Sequence, residues 1–424
     1  MNWSEKDKKF VWHPFTHLKD APDNIVIEKA EGAYYFDEKG NKIIDAISSW
    51  WVNLHGHAHP YISKKVSEQL HKFEHAIFSG FTHQPAIELA ERLLKHLPEN
   101  QKKIFYSDNG STAVEVGLKM CLQYWHNKGE DRNIFIAFEN AYHGDTFGGM
   151  SVGERNVFNN AFESLLFDVV HVSLPTEETF EFIKSELKRL LENHEVAGFI
   201  FEPLVQGAAG MKMYEAKYLD ELIELCRANK VITIADEVMT GFGRTGKFFA
   251  TDHLKNKPDI ICLSKGLTGG YMPLGVTGCA EFIFNEFVSN DKTKTFFHGH
   301  SYTANPTACT AALASLDLME EKATWENIEN IHRQHQIFFQ KIKEHKNLRN
   351  VRLCGTILAF EIKTEEASHY LNKAGESIAE YFIKKNILFR PLGNVFYILP
   401  PYCISNSDLE YIYGEVEIFL NALS

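Results

Sequence analysis

Four short apolar runs constrain this chain more than any other feature: IFIAF at 134–138, VAGFIFE at 196–202, VITIADE at 231–237 and DIICLSKG at 259–266. Between them stand stretches with helical spacing. Ile87, Ala90, Leu94 and Leu97 give one apolar face, and Val114, Leu118, Cys121, Leu122 and Trp125 give another. Apolar strands alternating with amphipathic helices predict a mostly parallel sheet, buried on both faces and flanked by helices. In such sheets ligands gather beyond the carboxyl ends of the strands, so the chemistry belongs where these runs end.

At 424 residues the chain is long enough for a large core and too long for one simple domain, so two structural parts sharing an interface are expected. The last hundred residues differ in pattern. Helical segments such as ATWENIENIHRQHQIFFQKIKEH lead to ILFRPLGNVFYILPPY, two strand-like runs around a Gly-Asn turn. The expected division is an N-terminal segment over 1–60 serving the smaller part and the site, a large α/β domain over 61–310 and a small α+β domain over 311–424. A formal charge of −12 works against nonspecific binding to nucleic acid or anionic membrane. No stretch approaches the roughly 20 apolar residues of a membrane helix, and MNWSEKDKKF lacks the apolar core of a signal peptide. With seven scattered cysteines and no Cys-x-x-Cys pair, a reducing, cytoplasmic setting is the expectation.

Asp236 follows VITIA and Lys265 follows DIICLS, so both should emerge on one rim of the sheet. Alone, the first could cap a turn and the second could be solvated. Together they suit pyridoxal phosphate, whose aldehyde needs an amine and whose ring nitrogen needs an anion. Asp236 would keep the pyridine nitrogen protonated. Lys265 would form the Schiff base, yield it to the incoming amine, and shuttle the Cα proton as a desolvated amine. In SDNGSTAVEVGLK (107–119), Gly110 and Ser111 precede an amphipathic helix whose start could hold the phosphate. Thr112 with Glu115 reads equally as a plain capping box. Tyr142, after IFIAF, could stack on the ring or simply fill the core. The glycines of IADEVMTGFGRTGKF (234–248) predict a tight loop over the site, and SKGLTGGYMPLG (264–275) reads similarly.

The words EPLVQG (202–207), IADEVMTGFGRTG (234–246), SKGLTGG (264–270) and HGHSYTANP (298–306) resemble those of the class III, fold-type I pyridoxal-phosphate aminotransferases, in order along nearly the whole chain. WHPFT (12–16), SSWW (48–51), the QYW and YHGDTFGGMS segments, and RPLG with YILPPY are similar to the branch that aminates 8-amino-7-oxononanoate in biotin synthesis. There S-adenosylmethionine is the usual amino donor, and some relatives use lysine. The resemblance implies a homodimer with sites at the subunit interface. It assigns Lys265 to the cofactor aldehyde, Asp236 to the ring nitrogen, Tyr142 to the ring face, and Gly110 and Ser111 to the phosphate. Glu202 and Gln206 would lie near the ring. Ser301 would reach the phosphate of the neighbouring subunit, with His300 beside the substrate. Arg390 would hold the keto substrate's carboxylate by a bidentate pair, walled by Tyr397 and Trp51. Phe15 stands where better-known members have a tyrosine that contacts substrate with the counterpart of Asp145, which bears on the donor. Other class III ω-aminotransferases share the same core words.

ISSWWVNLHGHAHP (47–60) joins two tryptophans to alternating His55, His57 and His59. Read as a strand, it turns Trp51 to the substrate's aliphatic chain and Trp50 to the protein side or dimer interface. The histidines could line up as metal ligands in a hydrolase, or form a turn into a helix at Pro60.

Overall fold

The computed structural model describes residues 1–19, 21–192, 195–366 and 368–423. The predicted runs build one seven-stranded sheet, in the spatial order Gln101–Ser107, Gly275–Ala280, Ile260–Leu263, Ile232–Asp236, Val196–Phe201, Ile134–Phe138, Val169–Val172. The Gly275–Ala280 strand is antiparallel to both neighbours, and the remaining pairs are parallel. Every residue of the Ile232–Asp236, Ile260–Leu263 and Val196–Phe201 strands is buried, which explains their unbroken apolar pattern. Helix Gly110–Lys128 covers one face through Ala113, Val114, Leu118 and Cys121, whereas Leu219, Leu222 and Ile223 of helix Ala216–Ala228 join the core on the other. Cys262 is buried, with its thiol 3.4 Å from the carbonyl of Ala113.

The chain's two ends meet in the smaller sheets. Strands Ile27–Glu31, Tyr34–Asp37 and Lys42–Asp45 form an antiparallel meander that Ile387–Leu388 extends in parallel. A separate antiparallel sheet holds Leu348–Cys354, Ile357–Ile362 and Val395–Ile398. The two runs flanking Gly393-Asn394 therefore do not pair as the hairpin their turn suggests. Each finds its hydrogen-bond partner elsewhere: Ile387 lies opposite Ile44, and Phe396 lies opposite Phe360 with their rings stacked at 4.9 Å. The two-residue turn itself forms, with Leu392 and Val395 exchanging backbone hydrogen bonds at 3.0 and 3.1 Å across Gly393-Asn394, but the pairing goes no further, and Asn394 spends its side-chain N–H groups on Ile362 O and Ser368 Oγ. Among the described residues no helix is long and apolar enough to cross a membrane.

Candidate active site

Asp236 ends its strand in register with Cys262 of the adjacent parallel strand, and Lys265 follows that strand after Ser264. Parallel pairing thus delivers carboxylate and amine to the same edge of the sheet. Both line a cavity of about 450 Å³ with Gly110, Ser111, Tyr142, Glu202 and Trp51. Lys265 opens a single 3₁₀ turn with φ 43°, a left-handed conformation that costs a lysine about 1 kcal/mol or more. Withdrawal from water pulls its amine below the ordinary lysine range, and the charges of Asp236 and Glu202 only partly oppose this.

The helix over Gly110–Lys128 starts at the cavity wall, and its cap differs from the expected one. Asn109, not Thr112, is the N-cap: its Oδ1 accepts the Thr112 N–H at 3.0 Å, while Thr112 Oγ1 accepts the Asn109 N–H at 3.0 Å. Glu115 turns away to accept the N–H groups of Gly148 at 2.6 Å and Gly149 at 3.2 Å. Gly110 and Ser111 occupy the first turn, where N–H groups lack intrahelical acceptors. A Cβ on Gly110 would meet Val238 at 2.7 Å, so the backbone reaches the wall only because no side chain is there. Gly144 packs as closely on Ser111, with φ 108°. A helix start opened by a bare glycine, facing a lysine and an aspartate, fits a phosphorylated pyridine aldehyde in both charge and shape.

One residue escaped the sequence reading. His143 is buried beside Asp236, with Nδ1 2.7 Å from Oδ2, while the Val238 N–H donates to Oδ1 at 3.0 Å. Its Nε2 is buried without a hydrogen-bond partner. The only hint in the chain was its position directly after Tyr142. The Tyr142 N–H donates to Glu202 Oε1 at 3.2 Å, and the Gly207 N–H donates to Oε2 at 2.8 Å. Burial, helped by the charge of Asp236, pushes the Glu202 carboxyl up to about 7 despite nearby His143. The Tyr142 phenol is also raised, by burial and then by Asp145.

The remaining expected residues stand back from this cavity. Gln206 is buried, donating to Glu139 O at 3.0 Å, and does not line it. Tyr397 accepts the indole N–H of Trp51 at 3.0 Å and so backs the wall. Arg390 stacks 4.4 Å above the Trp50 ring, and Phe15 meets Trp50 at 5.6 Å, edge to face. Asp145 is exposed, its N–H 3.3 Å from Ser111 Oγ. His300 lies between Asp108 and His298, and Ser301 is exposed, its carbonyl 2.7 Å from His75 Nε2.

The glycine-rich loop after Asp236 does not roof the site. Val238 and Met239 line the cavity, but beyond them the loop runs inward. Fully buried Arg244 donates to the carbonyls of Pro400 at 3.2 Å, Trp51 at 3.3 Å and Asn53 at 3.1 Å. Nor is the double tryptophan on a strand. Ser48–Trp51 is a distorted helical turn with φ 55°, 64° and 67° at Ser48, Ser49 and Trp51. The irregular backbone, not strand alternation, separates the rings. Trp51 is 5 % exposed, its ring 4.9 Å from Lys265 Nζ, whereas Trp50 is 38 % exposed. The three histidines diverge: His55 pairs with Ser315 Oγ at 3.0 Å, His57 with Asp45 at 2.9 Å, and His59 begins the turn into helix Pro60–Leu70. Among the described residues no three His, Cys, Asp or Glu side chains could hold a metal together.

Known proteins resemble this one along its whole length. The family model described as aminotransferase class-III matches residues 17–420. The adenosylmethionine-8-amino-7-oxononanoate aminotransferase of Synechococcus elongatus is 46 % identical, over 97 % of this chain and 99 % of its own. The crystal structure of the enzyme of that name from Methanocaldococcus jannaschii superposes with a TM-score of 0.93 at 38 % identity, covering 99 % of this chain and 98 % of the other. An amine transaminase from an uncultivated Pseudomonas species, in PLP-bound form, gives 0.90 at 29 % identity, covering 97 % and 98 %.

Proposed function

The chain belongs to the class-III aminotransferases, and from that premise we propose that it transfers an amino group to the ketone of 8-amino-7-oxononanoate, giving 7,8-diaminononanoate for biotin synthesis. S-adenosylmethionine is the donor, in a ping-pong cycle in which the donor leaves as a keto product before the acceptor enters. The observation that carries this reading is the pairing of Asp236 and Lys265 on one sheet edge, opposite a helix start, in a chain 46 % identical to an enzyme named for that acceptor. Enzymes of this class work with pyridoxal phosphate, which supplies an aldehyde that bonds amines and a ring that takes up the electrons left when a Cα–H proton departs.

The protein's own residues do the rest. Lys265, its pKa lowered by burial, takes the Cα proton of the donor at Nζ and returns a proton to the acceptor carbon. Asp236 presents a carboxylate to the ring nitrogen, oriented by His143 and the Val238 N–H. Gly110 and Ser111 would hold the phosphate through the helix start, and Tyr142, which lines the same cavity, would hold the ring. Glu202, held by two backbone N–H groups, would face the bound ring, and Gln206, donating to Glu139 O, would support that segment. Trp51 and Tyr397 exclude water from the substrate chain, and Arg390 takes its carboxylate in a bidentate pair. Phe15 and Asp145 border the donor's approach. In a homodimer, Ser301 and His300 of one copy serve the site of the other. Support for this is that Ser301 is exposed, does not line its own cavity, and stands in a segment with exposed Phe297 and Tyr302. A cytoplasmic location fits a soluble metabolic enzyme.

Incubating holoenzyme with single donors and following the cofactor spectrum tests the reading. S-adenosylmethionine should convert the yellow form, and 8-amino-7-oxononanoate should restore it. Conversion only by lysine would reassign the donor, and failure of the acceptor to restore colour would leave another ω-aminotransferase.

A further inference from the structure

The Ser48–Trp51 turn places Trp51 against Lys265 through a backbone that side-chain-bearing residues avoid, so something must hold it there. The holding group is the carboxylate of Asp45, fully buried at the end of its strand. Oδ2 accepts the Ser49 N–H at 2.6 Å, and Oδ1 accepts the Ile47 N–H at 3.1 Å. Both donors belong to the strained turn or its first flank. A buried carboxylate is costly unless its oxygens are satisfied, and the third partner here is His57 Nε2 at 2.9 Å. The neighbours determine which ring nitrogen carries the proton. The Gly56 N–H donates to Asn53 Oδ1 at 2.8 Å, which turns the Asn53 amide N–H toward His57 Nδ1 at 3.1 Å. Nδ1 therefore accepts, and Nε2–H donates to Asp45. The Tyr35 ring packs on the imidazole at 4.4 Å, and its hydroxyl lies 2.7 Å from Ser49 Oγ.

We infer that Asp45 and His57 are a positioning pair: together they hold the Ser48–Trp51 turn in its left-handed form and so set the Trp51 ring over Lys265. Neither residue lines the cavity. They act through the turn: Asp45 ends a strand of a sheet separate from the one whose edge carries Asp236, and His57 bridges to Gly32 outside any strand. The role also accounts for a histidine within HGHAH. Only a side chain that accepts on one side and donates on the other can pass orientation from the Gly56 backbone to the carboxylate. Glutamine can do the same and alanine cannot.

The experiment uses holoenzyme with His57→Ala, His57→Gln and Asp45→Asn. In His57→Ala and Asp45→Asn, backbone hydrogen exchange over residues 46–53 should quicken about tenfold or more, while exchange over 260–268 and cofactor affinity stay unchanged. The KM of the keto substrate should rise about tenfold with kcat reduced less. His57→Gln should recover both measures to within about threefold. The kinetic arm rests on the proposed reaction and the exchange arm does not, so a misassigned substrate would upset only the former. Unchanged exchange over 46–53 in both damaging variants would overturn the inference. Equal loosening of both segments with loss of cofactor would do so too, since that is general destabilisation.

Discussion

Asp236 and Lys265 stand at the ends of adjacent strands whose residues are all buried, whereas Trp51, across the same cavity, stands on a four-residue turn with three positive φ angles. The first region is placed by a regular hydrogen-bond ladder that runs through the core. The second is placed by individual hydrogen bonds, from nearby Asp45 and from the distant Tyr397, Arg244 and the carbonyl of Leu399, which accepts from Ser48 Oγ at 2.7 Å. A ladder tolerates the loss of one contact, because neighbouring rungs keep the register. A turn held by single hydrogen bonds shifts when one is lost. Under the proposed function, chemistry falls on the rigid rim and substrate discrimination on the adjustable wall.

The largest expected effect is on the rim. Lys265→Ala removes the group proposed to move the proton, so turnover should fall by about 10⁴ or more, with the yellow absorbance of the bound cofactor changed. Activity within a factor of ten of the parent would break the contrast at its root. On the wall, Trp51→Ala should raise the KM of the keto substrate about ten- to a hundredfold, from the loss of a buried apolar surface, and Trp50→Ala should change it by no more than about threefold. Equal effects from the two tryptophans would erase the distinction between a cavity-facing and an outward ring.

The smallest effect concerns the acid beside the rim. With its pKa at about 7, Glu202 in the folded protein holds its proton more tightly than in the unfolded chain, where the value is 4.5. Protonation therefore favours folding. The stabilisation is complete below the unfolded value and is lost as pH rises through about 7. The melting temperature of cofactor-free protein should decline across that window. Glu202→Gln should flatten part of the slope, by on the order of 2 °C, with Glu237, also pushed up to about 7 by burial, retaining the rest. A slope unchanged in Glu202→Gln would mean that the rim carboxyl is ionised throughout.

The same division runs through what could be read from the residues. The central strands, their parallel order and the shared edge of Asp236 and Lys265 were legible because a strand buried on both faces needs an apolar run, and such runs are local in sequence. The helix start at Gly110 was legible for the same reason, although the cap was misassigned: Glu115 found acceptor work on Gly148 and Gly149, residues distant in the chain. His143 was missed because its partner Asp236 lies 93 residues away. The Gly393-Asn394 turn forms as read, but the strands beyond it pair elsewhere, because local turn chemistry cannot say which strand offers the better apolar partner.

By itself, then, the sequence determined the sheet and the acid and lysine at its edge, since these depend on apolar runs within short windows, while its motif words carried the resemblance to the family. Tertiary structure alone decided that Arg244 is an internal strut and that Trp51 enters the cavity while Trp50 leaves it. Those outcomes depend on left-handed backbone angles and on hydrogen bonds between segments hundreds of residues apart, neither of which leaves a periodic trace along the chain.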